Sequence, residues 1–217
     1  MRGLILKDFL NLKKYGKQIV MILTIFLLFG IMMKSPLYIC FMMMLYGTMT
    51  ILTVMSYDER AGFDKYALSM PIHKKDLVTS KYIVWFIVMA GALIISMITG
   101  VIMNTFFGGN ILEAVVSVLA VEGVYVILFS IVIPIMFKLG VEKGRMVMMV
   151  VLIVPSVLAV LVGTMAKEIG IQINPEKINL FLENYWYLFI VGAFVFVIVA
   201  VFISYKASVH VVLKKEY

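Results

Sequence analysis

Residues able to serve as nucleophile, general base or metal ligand are sparse in this 217-residue chain, which has two histidines, His73 and His210, and one cysteine, Cys40. Metal-assisted hydrolysis would need converging ligands, yet no H-E-x-x-H and no paired glutamates occur. There is no G-x-S-x-G for a serine nucleophile, and no G-x-x-x-x-G-K-[ST] to cradle phosphates. The chain therefore has no means of hydrolysing nucleotide unaided. Both histidines fall in basic segments and read as solvated, and a lone cysteine makes no intrachain disulfide, so Cys40 reads as a small buried apolar residue.

Composition explains the absence of catalytic groups. Hydrophobic residues make up 64% of the chain and charged residues 14%, with a mean hydropathy of +1.09. A soluble domain carries about 45–50% apolar and about 25% charged residues, so this chain has too little polar surface to face water and its solvent is mostly lipid. The apolar residues run continuously instead of alternating, which excludes a porin-type barrel and predicts an all-α membrane protein.

Six apolar segments approach the roughly 20 residues that cross a bilayer. They are 19–33, 37–55, 82–103, 114–137, 146–165 and 185–205. The first is short and is extended by Gly16, Lys17 and Gln18, and Lys34-Ser35-Pro36 is predicted to turn tightly into the second. Sixteen of the 19 Lys and Arg residues fall in 1–18, 56–81, 138–145 and 206–217, against three in 34–36, 104–113 and 166–184. By the positive-inside rule both termini and the loops 56–81 and 138–145 are cytoplasmic. The net charge of +7 thus reports topology, with no nucleic-acid partner implied.

The flanking segments carry pattern of their own. In 4–14, Ile5, Phe9 and Leu12 with Leu6 and Leu10 form an apolar face opposite Lys7, Asn11 and Lys14, as in a helix lying in the inner headgroup layer. In 56–81, Phe63, Tyr66, Ala67 and Met70 recur at i, i+3, i+4 and i+7, with Asp58, Glu59, Arg60, Asp64 and Lys65 around them. This predicts an amphipathic helix over 58–69, stopped by Pro71 and suited to docking a soluble partner. Glu142, Lys143 and Arg145 in 138–145 offer a smaller second contact. Segment 166–184 predicts a short external interfacial helix opened by Asn174-Pro175, with Tyr185, Trp186 and Tyr187 in the outer aromatic belt.

Inside the spans, Glu122 is the single acidic residue well within a helix, about 12 Å from the outer end of the fourth span at about 1.5 Å per residue. An ionised side chain at the centre of a membrane helix costs about 2.5–3.5 kcal/mol, so Glu122 either lines or gates a pathway, or is held in a buried hydrogen bond to a neighbour such as Tyr125. The scarcity of other intramembrane charge argues against an ion-coupled carrier. Ala92, Ser96 and Gly100, spaced by four, permit close helix approach. Pro134 and Pro155 permit kinks, and the 18 methionines read as adaptable filler or soft lining.

Six spans with both ends inside, the interfacial first helix, and the run from Tyr66 to Tyr82 together resemble the ABC-2 type permeases. In that family the first cytoplasmic loop has the form L-S-x-P-[VI]-x-[RK]-x-x-[IL]-V-x-x-[KR]-Y. Leu68, Pro71, Lys74, Val78, Lys81 and Tyr82 match, and His73 stands where Ser or Thr is common. The resemblance implies a bacterial plasma-membrane half-transporter that pairs with a second permease copy and two separate ATPase subunits. ATP and Mg would sit on those partners, with no cofactor in this chain. Residues 58–69, with Pro71 and Lys74, would form the coupling helix. Within the family the chain is most similar to small Gram-positive permeases that export amphipathic peptide toxins such as phenol-soluble modulins, or that confer immunity to bacteriocins. A membrane-embedded immunity protein that binds peptide without pumping, and an ion-coupled secondary carrier, are the alternative readings.

Overall fold

The computed structural model describes residues 1–70, 72–108, 111–168 and 175–215, and within these the side chains of all but 64, 65, 68, 113, 159, 166–168 and 175–190. Among the described residues every regular element is helical: α1 (Arg2–Lys14), α2 (Gly16–Met32), α3 (Pro36–Arg60), α4 (Phe63–Leu68), α5 (Lys74–Phe107), α6 (Ile111–Leu139), α7 (Val141–Glu168) and α8 (Pro175–Lys214). Five of these, α3 and α5 to α8, are long and apolar enough to cross a membrane, and the pair α1 and α2, bent by 63°, supplies a sixth candidate. The bend falls at Tyr15, between a helix that still carries charge and one that carries almost none.

The expected turn at Lys34-Ser35-Pro36 is present. The Ser35 side chain accepts from the Tyr38 amide at 3.4 Å and Pro36 opens α3, where its missing N–H is no loss. At the other end of α3, Gly62 adopts the left-handed region (φ 59) and its amide bonds back to the Glu59 carbonyl. A glycine in this position stops a helix, since a side chain there would crowd the carbonyl. The single amphipathic helix expected over 58–69 is thus two pieces: 58–60 finish the spanning helix α3, and only Phe63–Leu68 form the separate α4.

Two further connections depart from expectation. The loop expected at 138–145 shrinks to Gly140 alone (φ 88), so α6 and α7 form a tight antiparallel pair. Beyond it, α8 is one continuous helix from Pro175, where a short interfacial helix followed by a separate span was expected. Pro175 opens that helix as predicted, but nothing in 175–190 breaks the ladder, and Asn174 and the rest of 169–174 lie outside the described residues.

The core is built on α3, α5 and α6. Trp85 of α5 is fully buried between Phe86 and Phe129, with ring centroids at 4.9 and 5.4 Å, and Cys40, Met44, Leu52 and Met89 complete the same cluster. The small-residue row on α5 behaves as expected: Ala92, Ser96 and Gly100 are buried, Ala92 against Gly47 of α3 and Gly100 against Val118 of α6. Large apolar side chains line the outside, including Ile25 and Leu28 on α2, Ile153 and Val157 on α7, and Phe194 and Phe196 on α8. In water such a surface would aggregate; in lipid it needs no further cover.

Candidate functional site

The four basic segments meet at one end of the bundle. Lys7 of α1 reaches Asp58 of α3, Lys74 of α5 donates to the Lys215 carbonyl at 3.0 Å, and Lys215 donates to the Phe137 carbonyl at 3.4 Å. Together with the Val141 amide, which donates to Glu59 at 2.7 Å, these contacts join residues from 1–18, 56–81, 138–145 and 206–217, the set singled out by charge.

At the centre of this end lies the last turn of α3, where Tyr57, Asp58 and Glu59 are consecutive. Successive helical residues differ by about 100° in direction, so these three point to different neighbours. The Tyr15 hydroxyl, at the bend between α1 and α2, donates to the Tyr57 hydroxyl at 2.5 Å, and the two rings stack at 5.5 Å. That hydrogen bond, more than burial, raises the Tyr15 phenol above its ordinary value. Glu59 points the other way: its Oε2 accepts from the Val141 amide at 2.7 Å, satisfying a free donor at the start of α7. The approach is close enough that a Cβ on Gly140 would lie 2.5 Å from Glu59 Oε1.

Asp58 enters a four-charge network. Lys7 Nζ binds both Asp58 oxygens at 2.6 and 2.7 Å and approaches Asp8 at 3.2 Å; Lys81 Nζ binds both Asp8 oxygens at 2.8 Å and also bonds to Asp58. The two carboxylates are almost enclosed, with side chains 1% (Asp8) and 9% (Asp58) exposed. Two cations and two anions cancel, and each ion keeps at least two partners of opposite sign. Such balance is required, because an uncompensated buried charge costs roughly 3–5 kcal/mol. The network ties α1, α3 and α5 together.

Helix α4 rests on this network. Lys7 Nζ lies 3.5 Å from the centroid of the Phe63 ring, a cation–π contact. One helical turn later, Ala67 is buried against Leu4 of α1 and Leu77 of α5, with Phe63 and Ile72 at the margin. Its outer side presents Tyr66, 59% exposed. Between the end of α3 and the α6–α7 turn opens a cleft of about 260 Å³ lined by Ser56, Glu59, Arg60, Leu139, Gly140, Glu142 and Lys143. The two segments expected to contact a partner are therefore walls of one cleft.

The expected docking residues divide accordingly. Arg60, Tyr66, Glu142 and Lys143 are exposed, and Arg145 is half-buried. Asp58, expected on the outer surface, instead faces inward and is occupied by Lys7 and Lys81, because the helix bearing it continues the packed span; Glu59 is exposed as expected, on the cleft wall, where it accepts from the Val141 amide. Phe63 is half-buried over Lys7, and Lys74 is occupied with the end of α8. Asp64, Lys65 and Leu68 belong to α4, with their side chains outside the described set, and Pro71 lies outside the described residues.

Lys7 also departs from expectation: placed on the water-facing side of α1, it turns inward with Asp8, while Leu6 and Leu10 face outward. Sequence reasoning missed Asp8. The available clue was that Asp8 is the sole acidic residue before Asp58.

Glu122 sits on α6, half-buried, and the hydrogen bond to Tyr125, one of its two readings, is not made; the buried Tyr125 hydroxyl has no partner among the described residues, and its ring meets Phe41 edge-on at 5.5 Å. Among the described residues no group of three or more His, Cys, Asp or Glu side chains is placed to hold a metal.

Residues 3–212 match the sequence model of a family described as ABC-2 family transporter protein. No curated protein and no solved structure matches the chain.

Proposed function

As a member of the ABC-2 transporter family, this multi-pass membrane protein is a transmembrane component of an ABC transporter, and we propose that it forms the permease half of an ATP-driven exporter. The family implies an ABC ATPase partner and a lipid surround. In this reading the end of the bundle that gathers the basic segments faces the cytoplasm, two ATPase subunits hold the ATP and Mg, and a second permease copy completes the pathway. Cargo is amphipathic or hydrophobic, with peptide toxins of the phenol-soluble modulin kind or bacteriocins as the narrower expectation. The near absence of charge in the spans supports an apolar route, and Glu122 is assigned to lining or gating it.

One observation supports the reading above others: α4, a short helix with an exposed outer side, sits with Phe63 on a buried ion network shared by three longer helices. A docked ATPase gripping Tyr66, Arg60 and the cleft walls Glu142 and Lys143 would push on α4. Phe63 would pass that displacement to Lys7 and Asp58, and Glu59 would pass it to α7. The ion network and the Glu59 cap make the receiving helices respond together, as rigid-body switching requires.

The test is the chain purified with its ATPase and reconstituted in liposomes. Peptide-stimulated ATP hydrolysis with peptide movement supports the exporter. Peptide binding with no effect on hydrolysis supports the immunity reading, and movement driven by an ion gradient without ATP supports a carrier.

A further inference from the structure

Helix α1 sorts its charges by direction. Lys7 and Asp8 turn inward to the ion network, whereas Arg2, Lys13 and Lys14, with Lys17 just past the bend, are exposed and form no ion pair among the described residues. At about 100° per residue, Arg2, Leu6, Leu10, Lys13 and Lys14 share roughly one-third of the helix circumference. The two leucines lie inside that arc, exposed by 61% and 56%, with cations on either side. We propose that this outward face of α1 is a binding surface for anionic phospholipid, its leucines entering the acyl boundary and its cations meeting headgroup phosphates.

Three observations support this choice of ligand. The 63° bend at Tyr15 turns α1 away from the direction of α2, so that if α2 crosses the membrane α1 runs along its surface. The opposite face of α1 is occupied by Leu4, Asp8 and Leu12 in contact with the bundle, which leaves the basic apolar face outward. Helix electrostatics do not account for the cations: Lys13 and Lys14 suit the helix C-terminus, but Arg2 stands in the first turn, where positive charge is unfavourable and no acidic residue balances it. A row of unpaired cations flanking exposed leucines is the chemistry that favours phosphatidylglycerol or cardiolipin over phosphatidylcholine. Since Lys7 and Asp8 hold α1 to Asp58 and Lys81, lipid bound here touches the helix that steadies α4. The inference takes from the proposed function only that this end of the bundle meets an anionic leaflet, and symmetric vesicles make its test independent of that.

The experiment uses the full chain in vesicles containing spin-labelled phosphatidylglycerol or spin-labelled phosphatidylcholine, and compares the motion-restricted fraction of each. The expected result is a several-fold preference for phosphatidylglycerol that declines as salt rises. The preference should fall to near one in R2Q/K13Q/K14Q/K17Q and persist in K75Q/K138Q/K206Q/K214Q, which removes equal charge elsewhere. Equal association of both lipids with the unmodified chain would overturn the proposal, as would a preference that survives the α1 substitutions or is lost equally in the control.

Discussion

Lys81 holds both oxygens of Asp8 at 2.8 Å across 73 residues of sequence, and so fastens the first helix of the chain to the cytoplasm-assigned end of its longest core helix. The pair is half of a neutral four-ion cluster, which makes its removal asymmetric. Replacing Asp8 alone leaves two lysines facing one carboxylate, whereas removing Asp8 and Lys81 together leaves the balanced pair Lys7–Asp58.

Asp8→Leu is accordingly expected to lower stability by about 3–5 kcal/mol, and Asp8→Leu with Lys81→Met to recover most of that loss. Thermal unfolding of the detergent-solubilised chain reads the comparison. Additive losses in the double variant would mean that the two residues do not share a site.

Glu59 and Gly140 form a second testable pair. Glu59→Ala removes the cap on α7 and should cost about 1 kcal/mol. Gly140→Ala places a Cβ 2.5 Å from Glu59 Oε1 in a left-handed conformation, for a cost of about 1–3 kcal/mol. Because Glu59→Ala also removes the atom in the way, the double variant should lose less than the sum of the two. A double-mutant cycle by chemical or thermal unfolding measures the difference, and strict additivity would refute the close contact.

Arg60, Tyr66, Glu142 and Lys143 are exposed members of the docking surface, beside Glu59. Arg60→Glu and Tyr66→Ala should each reduce ATPase co-purification several-fold while the permease elutes from a sizing column unchanged. Full retention of the ATPase in both variants would remove this surface from the interface.

Lys7 is the link between α4 and the ion cluster. Lys7→Arg keeps the charge and can still stack on Phe63, so it should preserve cargo-stimulated hydrolysis. Lys7→Met should abolish the stimulation at matched amounts of assembled complex. Stimulation that is equal in the two variants would show that the Phe63 contact carries no force.

The parts legible in the sequence are those set by long-range composition. Uninterrupted apolar runs revealed the spans, and the sixteen-to-three division of Lys and Arg grouped the four segments that meet at one end. Periodicity found Phe63, Tyr66 and Ala67 on one short helix, but it could not tell that Gly62 would stop α3 first, and so placed Asp58 on a surface it does not occupy. The Lys7–Asp8–Asp58–Lys81 cluster depends on three elements packing together, and no local pattern encodes that. Its trace was an acid in an otherwise basic and apolar segment. The continuity of α8 was equally hidden, since Pro175 starts a helix without saying where it ends.

The central claim is that α4 and α1 move as one body when the partner ATPase binds nucleotide. With Cys40 replaced by Ser, nitroxides at Leu10→Cys and Tyr66→Cys report the distance between the exposed sides of these helices in the assembled complex. In a preparation that hydrolyses ATP, the account predicts one narrow distance distribution that is the same without nucleotide and with ATP trapped. A distribution that shifts or splits on ATP binding would contradict it, because α4 would then move without carrying α1.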